Sequence, residues 1–159
     1  MKTTLTITLV CIFLVGFNGQ SRGQSLMKLQ KSTIEKQVDS IFVTMVKAAE
    51  RVDYDKISTG VDDRYNAGFI VNNTYFTKYD SLINILRSNI RSGAKQLITI
   101  QHKKITVLSD NIVLLTASGE SIFESNTGQP LNINFLWSFV YEKIKNDWKV
   151  IQSHQSRAN

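Results

Sequence analysis

Residues 131–156 read LNINFLWSFVYEKIKNDWKVIQSHQS, and this stretch decides the fold. Apolar and polar side chains alternate along Leu131–Lys143 and again along Trp148–Ser156, which is the periodicity of a β-strand. The two runs are separated by Lys145-Asn146-Asp147, a composition typical of tight turns. The sequence therefore predicts two consecutive antiparallel strands joined by a short connection.

Further strands precede this pair. Two long alternating runs are each followed by a turn-forming sequence, at 109–111 and 125–128. Two shorter apolar runs flank Asn72-Asn73, a sequence that favours a tight turn. The predicted strands before residue 131 are Phe69-Ile70-Val71, Tyr75-Phe76, Gln96–Leu108 and Ile112–Glu124.

Three helices are predicted ahead of the long strands. Ser32-Thr33-Ile34-Glu35 fits a capping box at the start of a helix that runs to about Arg51. Asp53 is placed to cap a short second helix. A third helix follows a second capping-box sequence, Thr77-Lys78-Tyr79-Asp80, and ends at Gly93. Helices followed by an antiparallel meander define the α+β class.

The N-terminus has the pattern of an export signal. Lys2 precedes an apolar run from Leu5 to Phe17, which is shorter than the ~20 residues of a transmembrane helix. Cys11 lies inside that run rather than after it, so it is not expected to carry a lipid. We predict a signal peptide at 1–23, a short tether at 24–32 and one domain at 33–157, with the protein secreted or periplasmic and without a stable membrane anchor after processing.

Composition excludes several classes of function. Removing residues 1–23 deletes two basic residues and no acidic residue, so 17 basic and 13 acidic side chains leave a net charge of +4. The basic residues are dispersed, and we expect no nucleic-acid partner. The mature chain has two histidines and no cysteine, so no metal site is expected. The sequence contains no glycine-rich loop that would bind the phosphates of a cofactor, so no cofactor is expected.

Nearly all of the mature chain resembles the nuclear transport factor 2-like superfamily, especially its SnoaL-like branch and the association domain of calmodulin-dependent kinase. The resemblance covers about Ile34–Ser156 and is most specific at Trp148-Lys149-Val150, followed by His154-Gln155-Ser156. It implies three helices packed in the concave face of a strongly curved, mostly antiparallel sheet, with a pocket at the open end. It implies no particular chemistry, because this fold supports enzymes and assembly domains alike.

The predicted pocket residues follow from alternation along the strands. Counting by twos from Trp148 places Gln152 and His154 on the inward face of the last strand, so His154 is the candidate general base or ligand donor. The ketosteroid-isomerase pattern of the superfamily is absent, because Met45 stands near the place of its helix tyrosine and residues 69–71 carry no carboxylate. The full set of predicted ligand-binding residues is Phe42, Met45, Tyr54, Glu120, Trp137, Gln152 and His154.

Three hypotheses remain open from the sequence. The first is an exported domain, expected to be a homodimer, that binds a small and largely apolar organic ligand. The second is an enzyme of the cyclase, isomerase or hydrolase kind that uses His154 with Tyr54 or Tyr65. The third is an assembly domain without a ligand. Asn72-Asn73-Thr74 also fits the acceptor pattern for N-glycosylation, which is used only in a eukaryotic secretory pathway.

Overall fold

The computed structural model of the protein describes residues 27–89, 96–124 and 129–158, so the predicted signal peptide and Gly93 lie outside the described residues. The predicted order of helices and strands is confirmed, and the limits of the four long strands differ from the prediction by at most two residues. In chain order the elements are α1 Lys28–Glu50, α2 Tyr54–Ser58, β1 Phe69–Val71, β2 Thr74–Phe76, α3 Tyr79–Asn89, β3 Gln96–Val107, β4 Ile112–Glu124, β5 Pro130–Ile144 and β6 Asp147–Ala158.

The strands form one six-stranded sheet in the order β2-β1-β6-β5-β4-β3. All neighbouring pairs are antiparallel except β1 and β6, which run parallel with Phe69 opposite Ser153. The sheet curls around the helices, so its inner face and the helices enclose the core. The predicted α+β class and mostly antiparallel sheet are confirmed.

The core lies between α1, α3 and the inner face of the sheet. Residues of α1 recur at helical spacing with Ile34, Val38 and Phe42 buried, as their apolar stripe predicts. Trp148 is 4% exposed, and its indole nitrogen donates to Gln37 Oε1 at 3.1 Å, which ties β6 to α1. Val150, two residues further along β6, is also buried.

The predicted start of α1 is wrong. Helix α1 begins at Lys28, with no side-chain cap at Met27, so residues 28–32 belong to the helix rather than to a tether. Thr33, assigned to a capping box, is inside the helix and donates its hydroxyl to Leu29 O. Leucine, lysine and glutamine favour helix, and this propensity extends α1 beyond the apparent cap.

A remote side chain caps the third helix. The Tyr79 amide donates to Asp63 Oδ2 at 3.1 Å, across 16 residues of sequence, and not within the local sequence that the prediction used. The prediction for α2 is confirmed, because Asp53 Oδ1 accepts a hydrogen bond from the Lys56 amide. Among the described residues, no helix is both long enough and apolar enough to cross a bilayer.

Two β-bulges interrupt the ladder of strands. In β3 the register shifts between Ile100 and His102. In β6, Tyr141 pairs with Val150 while Val140 pairs with Gln152, so Ile151 is an extra residue. A bulge turns two successive residues of its strand toward the same side, and the alternation of faces beyond it is shifted by one.

Candidate functional site

A cavity of about 240 Å³ lies between the three helices and the inner face of the sheet. Its wall is mainly aliphatic and aromatic, and each helix contributes the side chains that point toward the sheet. A lining of this composition favours apolar ligands. The lining residues are Phe42, Met45, Val46, Ala49, Tyr54, Ile57, Tyr79, Leu82, Ile83, Leu86, Gln96, Ile98, Trp137, Phe139, Tyr141 and Gln155.

Strand β5 supplies one aromatic wall of the cavity. Trp137, Phe139 and Tyr141 are spaced by two residues and therefore share the inner face. The rings of Trp137 and Phe139 meet edge to face with centroids 6.1 Å apart, and Phe139 packs against Phe42 of α1 at 6.0 Å. These contacts fix the rings, so the wall is preformed.

Three phenols give the cavity its polar character. Burial raises the pKa of Tyr141 far above its ordinary value, and the Tyr141 hydroxyl lies 3.8 Å from Met45 Sδ, a weak acceptor. Burial, together with the neighbouring Tyr54, raises the pKa of Tyr79, and burial raises that of Tyr54. All three phenols therefore stay protonated near neutral pH and can donate a hydrogen bond.

Two amide side chains also reach the cavity. Gln96 is held in place, because its amide nitrogen donates to Ala49 O at 2.8 Å and its oxygen accepts from Ser121 Oγ at 3.2 Å. Gln155 makes a long contact of 3.4 Å to Ser153 Oγ. Among the described lining residues there is no carboxylate and no imidazole. The cavity thus offers hydrogen-bond donors, but its described lining has no carboxylate or imidazole that could act as a general acid or base near neutral pH.

The structure brings together four of the seven residues predicted to bind a ligand. Phe42, Met45, Tyr54 and Trp137 all line the cavity. Their contact with a ligand stays a prediction. Alternation along β5 could also have indicated Tyr141, which shares its face with Trp137, whereas nothing in the local sequence marked Gln155 as a cavity residue.

The predicted inward position of His154 is wrong. The extra residue Ile151 shifts the alternation of β6, so Ser153 is buried at 2% exposure while His154 is exposed on the outer face opposite Ser138. Gln152 is displaced to the outer face by the same bulge, opposite Val140. Gln155 takes the cavity position that the sequence assigned to His154.

Glu120 and Tyr65 also lie outside the cavity. Glu120 is exposed on the outer face of β4 and accepts a hydrogen bond from Gln101 Nε2 at 2.6 Å. Tyr65 is 55% exposed and donates its hydroxyl to Glu142 Oε1 at 3.1 Å. The described residues contain no group of three or more His, Cys, Asp or Glu side chains that could hold a metal ion.

Comparison with known proteins identifies the fold. Residues 38–159 match the family model of the SnoaL-like domain. A nuclear transport factor 2-like protein from Salmonella enterica superposes with a TM-score of 0.69 at 14% identity, covering 81% of this chain and 94% of that one. No curated protein matches the chain.

Two further solved structures differ widely in activity. A type 2 hexachlorocyclohexane dehydrochlorinase superposes with a TM-score of 0.69 at 10% identity, covering 84% of this chain and 90% of that one. The association domain of calcium/calmodulin-dependent kinase II from C. elegans gives a TM-score of 0.61 at 13% identity, covering 82% and 99%. At these identities the likeness shows the fold alone.

Proposed function

The chain belongs to the SnoaL-like family of the nuclear transport factor 2-like superfamily, and we propose that it is a binding protein for a small, largely apolar organic molecule carrying a hydrogen-bond acceptor. The observation that supports this most is the cavity of about 240 Å³, with its aromatic wall and three protonated phenols. The volume lies just below the ~300 Å³ at which ligand pockets usually begin, which favours a small ligand.

The chemistry of the cavity favours binding over acid–base catalysis. A general base is most effective when its pKa lies near the working pH. The lining of the cavity offers phenols with raised pKa values instead. The enzyme hypothesis built on His154 with Tyr54 or Tyr65 loses its support, because His154 lies on the outer face of the sheet whereas Tyr54 lines the cavity on the inner side. Tyr65 lies outside the cavity and donates to Glu142.

The test is ligand retention. Native mass spectrometry of the protein purified from its own host should show a bound small molecule. The variant Tyr54→Phe removes a donor of the cavity that is only partly buried, and the loss of a hydrogen bond worth about 1 kcal/mol should weaken binding roughly fivefold. Tyr65→Phe removes an exposed phenol outside the cavity and is the matched control. A ligand-free protein from the host, with apolar probes binding neither variant nor wild type, would refute the proposal.

We also propose that the protein works after export, in the periplasm or outside the cell. The support is the apolar run behind Lys2 and the absence of cysteine from residues 24–159, which makes folding independent of the redox state of the compartment.

Self-association is a second candidate function. The outer face of the sheet carries apolar side chains that are exposed in the single chain, namely Leu97 at 57%, Ile122 at 41% and Leu136 at 52%. Apolar surface of this kind marks interaction sites. The fold is also that of an association domain. We propose a homodimer with this face buried. Light scattering should then give twice the mass of one chain, and Leu136→Asp should give a folded monomer with the wild-type circular dichroism spectrum.

A further inference from the structure

A second concave surface lies on the other side of α1 from the cavity. This groove, of about 700 Å³, is bounded by α1, by the residues that follow α2 and by the turn between β5 and β6. Its floor contains the apolar side chains of Ile41, Met45 and Trp148. Its rim carries charged side chains, and it is therefore an amphipathic surface.

The rim of the groove is positive. Lys36, Lys56 and Lys149 line it together with a single acidic residue, Asp147, so the net charge is +2. Lys149 is occupied, because it donates to Thr59 O at 2.7 Å and lies 3.9 Å from Asp147 Oδ2. Within the described part of the chain, Lys36 and Lys56 form no ion pair. Two ammonium groups are thus available to an anion.

Met45 separates the groove from the cavity, since its side chain lines both. On the cavity side its sulfur lies 3.8 Å from the Tyr141 hydroxyl. On the groove side the same sulfur would lie 3.2 Å from a Cβ atom placed on Gly60, so the absence of a side chain there leaves room for Met45. Methionine is unbranched and flexible, and a change of its rotamer would join the two spaces.

We propose that the groove and the cavity together bind an amphipathic anion. The anionic head lies between Lys36 and Lys56, and the apolar body passes Met45 into the cavity, where Tyr141 bounds it. This inference rests on the proposed binding function and narrows the ligand class to organic acids with an apolar tail.

The lysines act by charge rather than by geometry. Both side chains are exposed, so each interacts with a head group through partly screened attraction. Because an ammonium is a point charge with rotatable donors, the site does not demand one particular anion shape. The affinity for an acid should therefore fall as the salt concentration rises, whereas the affinity for the matching alcohol should not.

The experiment compares octanoate with octanol, which share an apolar tail and differ in head charge. Calorimetric titration of the wild type should give the tighter binding for octanoate. The double variant Lys36→Gln/Lys56→Gln should lose about tenfold in octanoate affinity and keep its octanol affinity. The control variant Lys31→Gln/Lys104→Gln removes the same charge from exposed positions outside the groove and should bind both probes as the wild type does.

The outcomes separate the two proposals. If the wild type binds octanol but the groove-lysine variant binds octanoate as tightly as the wild type does, the anion site is wrong and the binding function stands. The same conclusion follows if the control variant loses as much octanoate affinity as the groove-lysine variant. Binding of neither probe by any of the proteins overturns both.

The rate of ligand association tests whether the ligand passes Met45. Stopped-flow association of both probes should be several-fold faster in Met45→Ala than in the wild type, because the smaller side chain opens the partition. Val43→Ala, at an exposed position of α1 that lines neither the groove nor the cavity, is the control. Equal association rates in all three proteins would place the entrance elsewhere and overturn this route.

Discussion

Val52 adopts a backbone conformation that its side chain disfavours. It follows α1 with φ of 56°, and the two hydrogen bonds of a Schellman motif surround it: Val52 N to Ala49 O and Asp53 N to Ala48 O, both at 2.9 Å. Glycine is the usual residue at this position, and the left-handed region costs other residues about 1–2 kcal/mol. Val52 is also β-branched, which makes its positive φ more costly than that of Asn66 or Asn72.

We expect Val52→Gly to raise the free energy of unfolding by about 1 kcal/mol, since relief of the strain exceeds the lost contacts of a half-buried side chain. Urea titration measures it. Val43→Gly, at an exposed position inside α1, is the control and should lower the free energy of unfolding by about 1 kcal/mol. Destabilisation of similar size in both variants would show that Val52 is not strained.

The buried phenols predict a pH dependence of stability. The pKa of Tyr141 is raised in the folded protein by burial, whereas the phenol ionises near pH 10 when the chain is unfolded. The folded state therefore holds more protons above pH 10, and the free energy of unfolding falls there by up to about 1.4 kcal/mol per pH unit for each such phenol. Below pH 10 this stability is fully present.

Tyr141→Phe should make that decline shallower between pH 10 and 12, as measured by urea unfolding at each pH. Tyr75→Phe replaces a phenol that is 60% exposed and serves as the control. An identical slope in Tyr141→Phe and wild type would contradict the burial of the Tyr141 hydroxyl.

At the scale of the elements, the sequence predicts the features that depend on residues close together in the chain. The alternation from Gln96 onward and the turn at Lys145-Asn146-Asp147 located the four long strands to within two residues, because strand periodicity and turn composition are local signals. Phe42, Met45, Tyr54 and Trp137 line the cavity, and their contact with a ligand stays a prediction. Phe42 and Met45 lie in the apolar stripe of α1 and Trp137 in the aromatic row of β5, patterns that local periodicity shows directly.

Two of the errors arise from partners that are distant in sequence. The bulge at Ile151 exists only relative to its register with β5, so counting from Trp148 could not reveal that His154 faces outward. The cap of α3 is likewise supplied by Asp63. Glu120 shows a different difficulty, because apolar neighbours do not tell which face of a strand is buried.

Cysteine labelling tests the facing of β6. The chain has one cysteine, Cys11, so a protein expressed from residue 24 has none. We expect His154→Cys to react rapidly with maleimide in the native state and Ser153→Cys to react only on unfolding, since Ser153 is 2% exposed. The opposite order would mean that β6 has no bulge and that His154 points into the cavity.

For the whole molecule, export predicts processing at the N-terminus. N-terminal sequencing of the protein recovered from the periplasm or the medium should begin near Gln24, after the Ser21-Arg22-Gly23 sequence that signal peptidase recognises. A Gly23→Leu variant should be processed more slowly, because it replaces one of the two small residues of the predicted cleavage site, and the control variant Lys28→Gln should be processed normally. Recovery of full-length chain with Met1 from the cytosol would refute export.

The parallel pairing of β1 with β6 has a consequence for the order of folding events. β1 is the first strand in the chain and its inner neighbour is the last, and the bond from Trp148 to Gln37 spans 111 residues. Contacts of such separation make for high contact order and slow folding. During synthesis α1 emerges long before β6 can cover it, so the native core cannot close until the chain is nearly complete. We therefore expect this delay to favour the proposed export, because a chain without a closed core can still pass through a membrane pore.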